Sequence, residues 1–199
     1  MNNYTKIIHK NLAQLYDALP ENLEHNLPGI RENDDFIFDA FGERCRIGPD
    51  RILCGGVEET GVLGILISLY ALHSQAAACV LGPFKAYREL PNSMPYAGAF
   101  AIQTEKSLVP YVEKIEKNLS SIIGCLSGSA GSGSPGGDFS FVVYPLPKVA
   151  LNYICYFADE EFPAAVTCLF SSNALSFLPV DALADTGEYT SKKILQLLE

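Results

Sequence analysis

The sequence predicts a single α+β domain, in which an antiparallel or mixed sheet is covered by a central apolar helix and by N- and C-terminal helices. The chain has 199 residues, of which 48% are hydrophobic and 19% charged. This composition suffices for a substantial core and excludes intrinsic disorder. Apolar residues recur at helical spacing near both ends and in the middle of the chain. Short apolar runs bounded by turn residues, typical of antiparallel strands, lie between these helical segments.

The N-terminal segment is predicted to be a helix followed by a linker. Residues 4–17 place apolar side chains at helical spacing, and Pro20 ends the pattern. We therefore assign residues 1–33 to an N-terminal helix and linker, and residues 34–199 to the α+β domain.

A hairpin and the central helix follow. The apolar runs at 36–40 and 44–47 flank a tight turn that contains Gly42, a pattern that predicts two antiparallel strands. Residues 58–73 are apolar nearly all round, with acidic residues at the start that complement the helix dipole. This segment is predicted to be the central helix.

The middle of the chain is less regular. Residues 84–100 combine aromatics, prolines and glycine, which favours a strand ending near Leu90 and then a structured loop. Residues 105–126 return to helical periodicity. The segment 127–137 consists almost entirely of serine and glycine, so we predict a flexible, dispensable loop.

The last third is predicted to complete the sheet and its cover. Apolar runs at 139–144, 149–157 and 165–170 predict a meander in the same sheet as the hairpin. Residues 180–198 predict one or two closing helices.

Charge and hydropathy limit the possible partners and location. The formal net charge is −9 and the sequence pI about 4.8, so nucleic acid and anionic membrane surfaces are excluded as expected partners. The N-terminus has no apolar signal segment, and the most apolar stretch, residues 62–81, is interrupted by polar side chains. We expect a cytoplasmic protein that does not enter the membrane.

The cysteine spacing predicts neither a metal site nor a cofactor. No two of the six cysteines form a Cys-x-x-Cys clip, the spacing that iron–sulfur and zinc sites commonly use. Most of them are expected to be core residues. Cys54 differs, because it ends an apolar run at the Gly55-Gly56 turn, where a thiolate would be accessible. A reactive Cys54 is therefore one alternative, although no histidine or lysine lies beside it in the sequence to lower its pKa.

The first candidate binding segment combines charge with aromatic side chains. It contains Tyr87, Arg88 and Glu89 and continues to Tyr96. In a strand, Arg88 would lie on the face opposite Tyr87 and Glu89. Its guanidinium could bind a carboxylate or phosphate, and either tyrosine could frame an apolar ligand.

The second candidate segment is the acidic run from Asp159 to Glu161. Consecutive carboxylates can bind a divalent cation or act as acid and base, but such a run is more often a solvated turn. The structural interpretation, which we favour here, is a buried ion pair between Arg88 and Asp159 or Glu161.

Several of these segments occur in an order that resembles a known family. They are residues 87–91, 137–141 leading to Leu146-Pro147, 158–163, Phe170, and Leu178-Pro179. Together they resemble the domain of unknown function DUF3786 over residues 34–198. The resemblance implies a soluble accessory protein near anaerobic redox or one-carbon metabolism, and it implies no catalytic residues.

Three functions remain open. The leading hypothesis is a non-enzymatic binding module that recognises a protein partner or small metabolite through Arg88 and the 159–161 carboxylates. The first alternative is an enzyme acting on a small anionic substrate, with Glu89 or Glu161 as general base and Arg88 as anion clamp. The second is a structural subunit, in which case a homodimer is possible.

Overall fold

The chain forms two antiparallel five-stranded sheets around a shared core in a computed structural model that describes residues 2–131 and 136–199. The prediction of an α+β fold with antiparallel strands is confirmed. The predicted hairpin and meander do not share a sheet, however. Each belongs to its own, and the buried residues of both sheets contribute to one cluster.

The N-terminal helix α1 (Asn3–Asp17) is where the spacing predicts it. The side chain of Asn2 accepts a hydrogen bond from the Thr5 N–H at 2.8 Å and caps the first turn. Ile8, Leu12 and Leu15 are buried in the common core, so this segment packs with the rest of the domain. A short helix, α2 (Leu23–Asn26), follows.

The first sheet is a meander of consecutive strands. Its strands are β1 (Ile30–Glu32), β2 (Asp35–Ala40), β3 (Glu43–Ile47), β4 (Ile52–Cys54) and β5 (Val57–Glu58). Two of its turns, Phe41-Gly42 and Gly55-Gly56, have positive φ at both central residues, as a type I′ hairpin turn requires. The hairpin predicted at 36–47 is confirmed as β2 and β3.

The central helix α3 (Val62–His73) begins later than predicted. Glu58 pairs with Leu53 as part of β5, and the Glu59 N–H donates to the Ile52 carbonyl at 2.9 Å. These bonds keep both acidic residues in the sheet and its connection, outside the helix. At Gly64, α1 approaches so closely that a Cβ would lie 2.6 Å from Cδ1 of Ile8.

The segment from 85 to 126 differs most from the prediction. It contains β6 (Lys85–Ala86), α4 (Met94–Phe100), α5 (Val112–Lys117) and α6 (Leu119–Cys125). The strand predicted to reach Leu90 ends at Ala86 and continues as a 3₁₀ turn, Tyr87–Glu89. The helix predicted at 105–126 is divided into short pieces. Its start belongs to a π-helical segment, Ala101–Lys106, that continues from α4. A 3₁₀ turn, Val109–Tyr111, follows and contains Pro110, which lacks a backbone N–H.

The second sheet has the order β6-β10-β9-β8-β7. Its further strands are β7 (Ser129–Ala130), β8 (Phe139–Leu146), β9 (Val149–Tyr156) and β10 (Ala165–Phe170). The predicted flexible loop 127–137 is in part docked, because Ser129 and Ala130 pair with β8. The centre of that loop, residues 132–135, lies outside the described residues.

The C-terminal helix α7 (Val180–Gln196) connects the two sheets. It packs on the second sheet, where the hydroxyls of Tyr153 and Ser191 are 3.1 Å apart. The first sheet reaches the same helix through Phe41, whose ring meets Tyr189 edge-on with centroids 5.3 Å apart. Across the described ranges, every helix is too short or too polar to cross a membrane.

Candidate functional site

The first predicted segment combines a structural residue with exposed ones. Tyr87 is buried, donates its hydroxyl to the Val180 carbonyl at 2.8 Å and stacks on Phe100. Burial raises the pKa of this phenol. Glu89 accepts the Ala86 N–H at 2.7 Å and so closes the 3₁₀ turn. Arg88 and Tyr96 are exposed.

The second predicted segment forms a self-contained turn. One carboxylate oxygen of Asp159 accepts the backbone N–H groups of Glu161 and Phe162 at 2.8 and 2.7 Å. These two hydrogen bonds lower the pKa of Asp159. The Glu161 side chain is exposed. Asp159 lies in a wide surface groove of about 550 Å³ whose lining does not include Arg88.

The favoured ion pair between these segments is not formed. Arg88 is exposed, and no ion pair among the described residues joins it to Asp159 or Glu161. The Arg88 guanidinium instead interacts electrostatically with the carboxylate of Glu105, which also accepts a hydrogen bond from the Cys168 N–H at 3.0 Å. The predicted pairing is therefore wrong, whereas a role of these side chains in binding stays a prediction.

The structure brings a different set of titratable side chains together where the first sheet meets α3 and α7. They surround a pocket of about 220 Å³, which we call the acidic pocket. Its lining comprises Ala40, Phe41, Glu43, Glu59, Leu63, Tyr189, Lys193 and Gln196.

Local backbone geometry brings the Phe41-Gly42 turn to this pocket. Phe41 has φ +51°, unusual for a bulky residue, and donates its N–H to the Pro145 carbonyl at 2.6 Å. This bond and the contact with Tyr189 hold the strained turn between the second sheet and α7. Glu43, the next residue after the turn, is thereby fixed at the pocket wall.

Glu43 is neutralised by a cation. The Lys193 ammonium donates to a Glu43 carboxylate oxygen at 2.8 Å, and the Lys193 side chain is only 18% exposed. This hydrogen bond raises the pKa of Lys193, which keeps the ammonium charged. The other Glu43 oxygen lies 2.8 Å from where a Gly55 Cβ would stand, so the glycine makes room for the carboxylate.

Glu59 has no such partner. Within the described ranges no side chain is placed to form an ion pair or hydrogen bond with its carboxylate. Burial raises the pKa of Glu59, and the nearby charge of Glu43 raises it further. The pKa of Tyr189 is also raised, first by burial and then by Glu59. The pocket therefore contains one compensated carboxylate and one uncompensated carboxylate.

Two cysteines lie behind this site. Cys45 on β3 and Cys54 on β4 face each other and are both buried. The accessible position expected for Cys54 is therefore wrong, since its side chain points into the core. The pKa of the Cys54 thiol is raised by its contact with Cys45 and by burial. The described residues contain no group of three or more potential ligands that could hold a metal ion.

Sequence reasoning missed this site for an identifiable reason. Glu58 and Glu59 precede a strongly apolar helix, and that position is typical of residues that complement a helix dipole. Glu43 follows a hairpin turn, where a charged residue is unremarkable. The sole signal was the accumulation of carboxylates near turns containing Gly42 and Gly55, which let the backbone approach closely.

Comparison with known families gives one match. A family model described as a domain of unknown function, DUF3786, matches residues 19–193 and so covers most of the chain. The match starts before residue 34, where the sequence resemblance begins. No curated protein matches the chain, and no solved structure does.

Proposed function

We propose that this chain, which belongs to the DUF3786 family of domains of unknown function, is a binding module that holds a small amine-bearing metabolite in the acidic pocket. The observation that carries the proposal is the uncompensated carboxylate of Glu59. A half-buried charge without a counterion lowers the stability of a fold, so its presence is explained if a cationic ligand supplies the missing charge.

The surroundings of the pocket support a cationic ligand. Asp185 of α7 adds negative charge in a neighbouring recess that shares Tyr189, in which Glu188 is paired with Lys192. Like-charged groups around a concave site raise the local concentration of the opposite ion. The formal net charge of −9 acts in the same direction.

The size and walls of the pocket favour a small molecule. A volume of about 220 Å³ accommodates a few heavy atoms, less than a drug-sized ligand usually fills. Phe41 and Leu63 supply apolar wall for a short methylene chain. Glu59 would accept the ammonium hydrogen bonds, and the Tyr189 hydroxyl would add a neutral polar contact.

Calorimetric titration with matched probes tests this proposal. Putrescine should bind, whereas butanediol, which is similar in length but neutral, and succinate, which is anionic, should not. Glu59→Gln should weaken putrescine binding by roughly tenfold or more, because a hydrogen bond to a charged group contributes about 1.5–3 kcal/mol. Glu58→Gln changes the neighbouring exposed carboxylate and should leave binding unchanged.

The pH dependence provides a second measurement. Because its pKa is raised, Glu59 takes up a proton as pH falls toward the ordinary carboxyl range, and putrescine binding should weaken over this interval. Equal binding of putrescine to the wild type and Glu59→Gln, or equal affinity for butanediol, would contradict the proposal.

A further inference from the structure

The cysteine pair behind the acidic pocket has a specific cross-strand geometry. Cys45 and Cys54 are directly opposite in the antiparallel ladder of β3 and β4. The flanking bonds run from the Gly55 N–H to the Arg44 carbonyl at 3.1 Å and from the Gly48 N–H to the Arg51 carbonyl at 2.9 Å. Hydrogen-bonded pairs alternate with non-hydrogen-bonded ones, so Cys45 and Cys54 form a non-hydrogen-bonded pair.

We propose that Cys45 and Cys54 are a reversible dithiol–disulfide pair, a modification site that fixes β4 to β3 when oxidised. Opposite residues in non-hydrogen-bonded pairs have Cα atoms about 4.5 Å apart. A disulfide accepts Cα separations of about 4.4–6.8 Å, so the bond can form without a change of register. Contact with Cys45 is also the largest cause of the raised pKa of Cys54, which places the two thiols together.

Access to the buried thiols requires local opening, and the edge of the sheet provides it. β4 has three residues and β5 two, both β5 residues are exposed, and Gly55-Gly56 joins the strands. β5, with few ladder bonds and no buried residue, opens at low free energy, and exposure of Cys54 then requires the three-residue β4, which buries Ile52 and Cys54, to separate as well. Opening of this edge hairpin exposes Cys54 and uncovers Cys45 behind it.

The oxidant that balances the reaction is a low-molecular-weight disulfide. One cysteine loses its proton to solvent, and the thiolate attacks the reagent disulfide, forming a mixed disulfide and releasing one reagent thiolate. The second cysteine, deprotonated in turn, attacks the protein sulfur of the mixed disulfide and releases the second reagent thiolate. The protein is oxidised by two electrons, and the reagent is reduced to two thiols.

The same protein contains a matched internal control. Cys155 on β9 lies opposite Val166, and Cys168 on β10 lies opposite Tyr153. Cys155 and Cys168 are thus diagonal neighbours, whose Cα atoms are separated by more than the limit for a disulfide, since diagonal spacing is about 7–8 Å. Both are buried like the proposed pair.

The experiment treats the folded wild-type protein with oxidised glutathione and measures the intact mass. The expected result is loss of two hydrogens without retained glutathione, reversed by dithiothreitol. Cleavage of the chain between Cys45 and Cys54, at Arg46 and Arg51, should leave these two cysteine peptides linked. The oxidised protein should also show a higher Tm, because the closed loop restricts the unfolded chain.

Cys45→Ala and Cys54→Ala serve as the controls, with near-native circular dichroism as evidence that each variant folds. Each should lose the two-hydrogen product and retain at most a glutathione adduct. If either variant folds poorly, peptide mapping of the wild type decides alone. Loss of two hydrogens in both variants would overturn the proposal. A linkage through Cys155 and Cys168, or glutathione adducts on the wild type with Cys45 and Cys54 still reduced, would also overturn it.

Discussion

Neighbouring residues in this protein serve different purposes because their burial differs. Tyr87 and Arg88 are adjacent in one 3₁₀ turn. The tyrosine ring packs against Phe100 and Phe170, whereas the arginine is exposed. The predicted strand would also have placed these two side chains on opposite faces. In the observed turn, however, Arg88 contacts none of the carboxylates of residues 159–161.

This difference gives a stability prediction for the pair. Arg88→Ala should reduce the free energy of unfolding by less than about 1 kcal/mol, as is typical for exposed charges. Tyr87→Ala should cost about 3–5 kcal/mol, the range for large buried aromatics. Urea denaturation of both variants measures the contrast. A loss of about 3 kcal/mol or more for Arg88→Ala would restore the buried ion pair as an explanation.

The candidate site illustrates which properties of a residue the sequence does not contain. Glu43 and Lys193 are 150 positions apart, and their ion pair exists because the β2–β3 turn meets α7. No local pattern encodes such a contact. The absence of a cationic partner for Glu59 among the described residues is likewise a property of the packed structure, since it depends on where the fold places the lysine and arginine side chains.

At the scale of elements, the two glycine-containing turns of the first sheet have similar backbones but different surroundings. Gly42 and Gly56 have φ of +78° and +81°. A Cβ at Gly42 would lie 2.5 Å from the Cys125 thiol and 2.9 Å from its carbonyl oxygen, whereas a Cβ at Gly56 would contact nothing within 4 Å.

We therefore expect Gly42→Ala to be more destabilising than Gly56→Ala. Both substitutions incur the left-handed backbone penalty of about 1–2 kcal/mol. Only Gly42→Ala adds the overpacking cost of about 1–3 kcal/mol. Urea denaturation of the two variants under the same conditions gives the difference, and equal losses would show that Cys125 moves aside freely.

Elements with strong periodicity were predictable, and elements set by tertiary contacts were not. The patterns of α1, the β2–β3 hairpin and strands β8 to β10 are local, so their positions follow from the sequence. The start of α3 was predicted too early because Glu58 pairs with Leu53 as part of β5. The division into two sheets depends on which strands pair across long separations, and alternating apolar runs look the same in either arrangement.

At the scale of the whole molecule, α7 is the helix that contacts both sheets. Its buried small residues allow close packing on α4: a Cβ at Gly187 would lie 2.6 Å from the Phe100 ring. Its Tyr189 and Lys193 face the first sheet and line the acidic pocket. A ligand in that pocket would contact the first sheet, α3 and α7, and should therefore stabilise the folded state.

The uncompensated carboxylate in this pocket also predicts how stability depends on pH. The pKa of Glu59 is raised in the folded state, so between the ordinary carboxyl value and the raised value the folded protein holds a proton that the unfolded chain has released. Stability contributed by this group is therefore present at acidic pH and decreases as pH rises through this interval. Glu105 and Asp185, whose pKa values are also raised mainly by burial, act in the same direction.

Glu59→Gln isolates the contribution of Glu59, because glutamine keeps the shape of the side chain and cannot ionise. The variant should be more stable than the wild type near neutral pH, and the difference should become small at about pH 4, where the glutamate is mostly protonated in both states. The matched variant Glu58→Gln, at an exposed position, should show no such trend. Urea denaturation at intervals from about pH 4 to about pH 8 measures both. A Glu59→Gln protein that is less stable than the wild type at neutral pH would show that the Glu59 carboxylate is compensated within the fold, and the need for a cationic ligand would disappear with it.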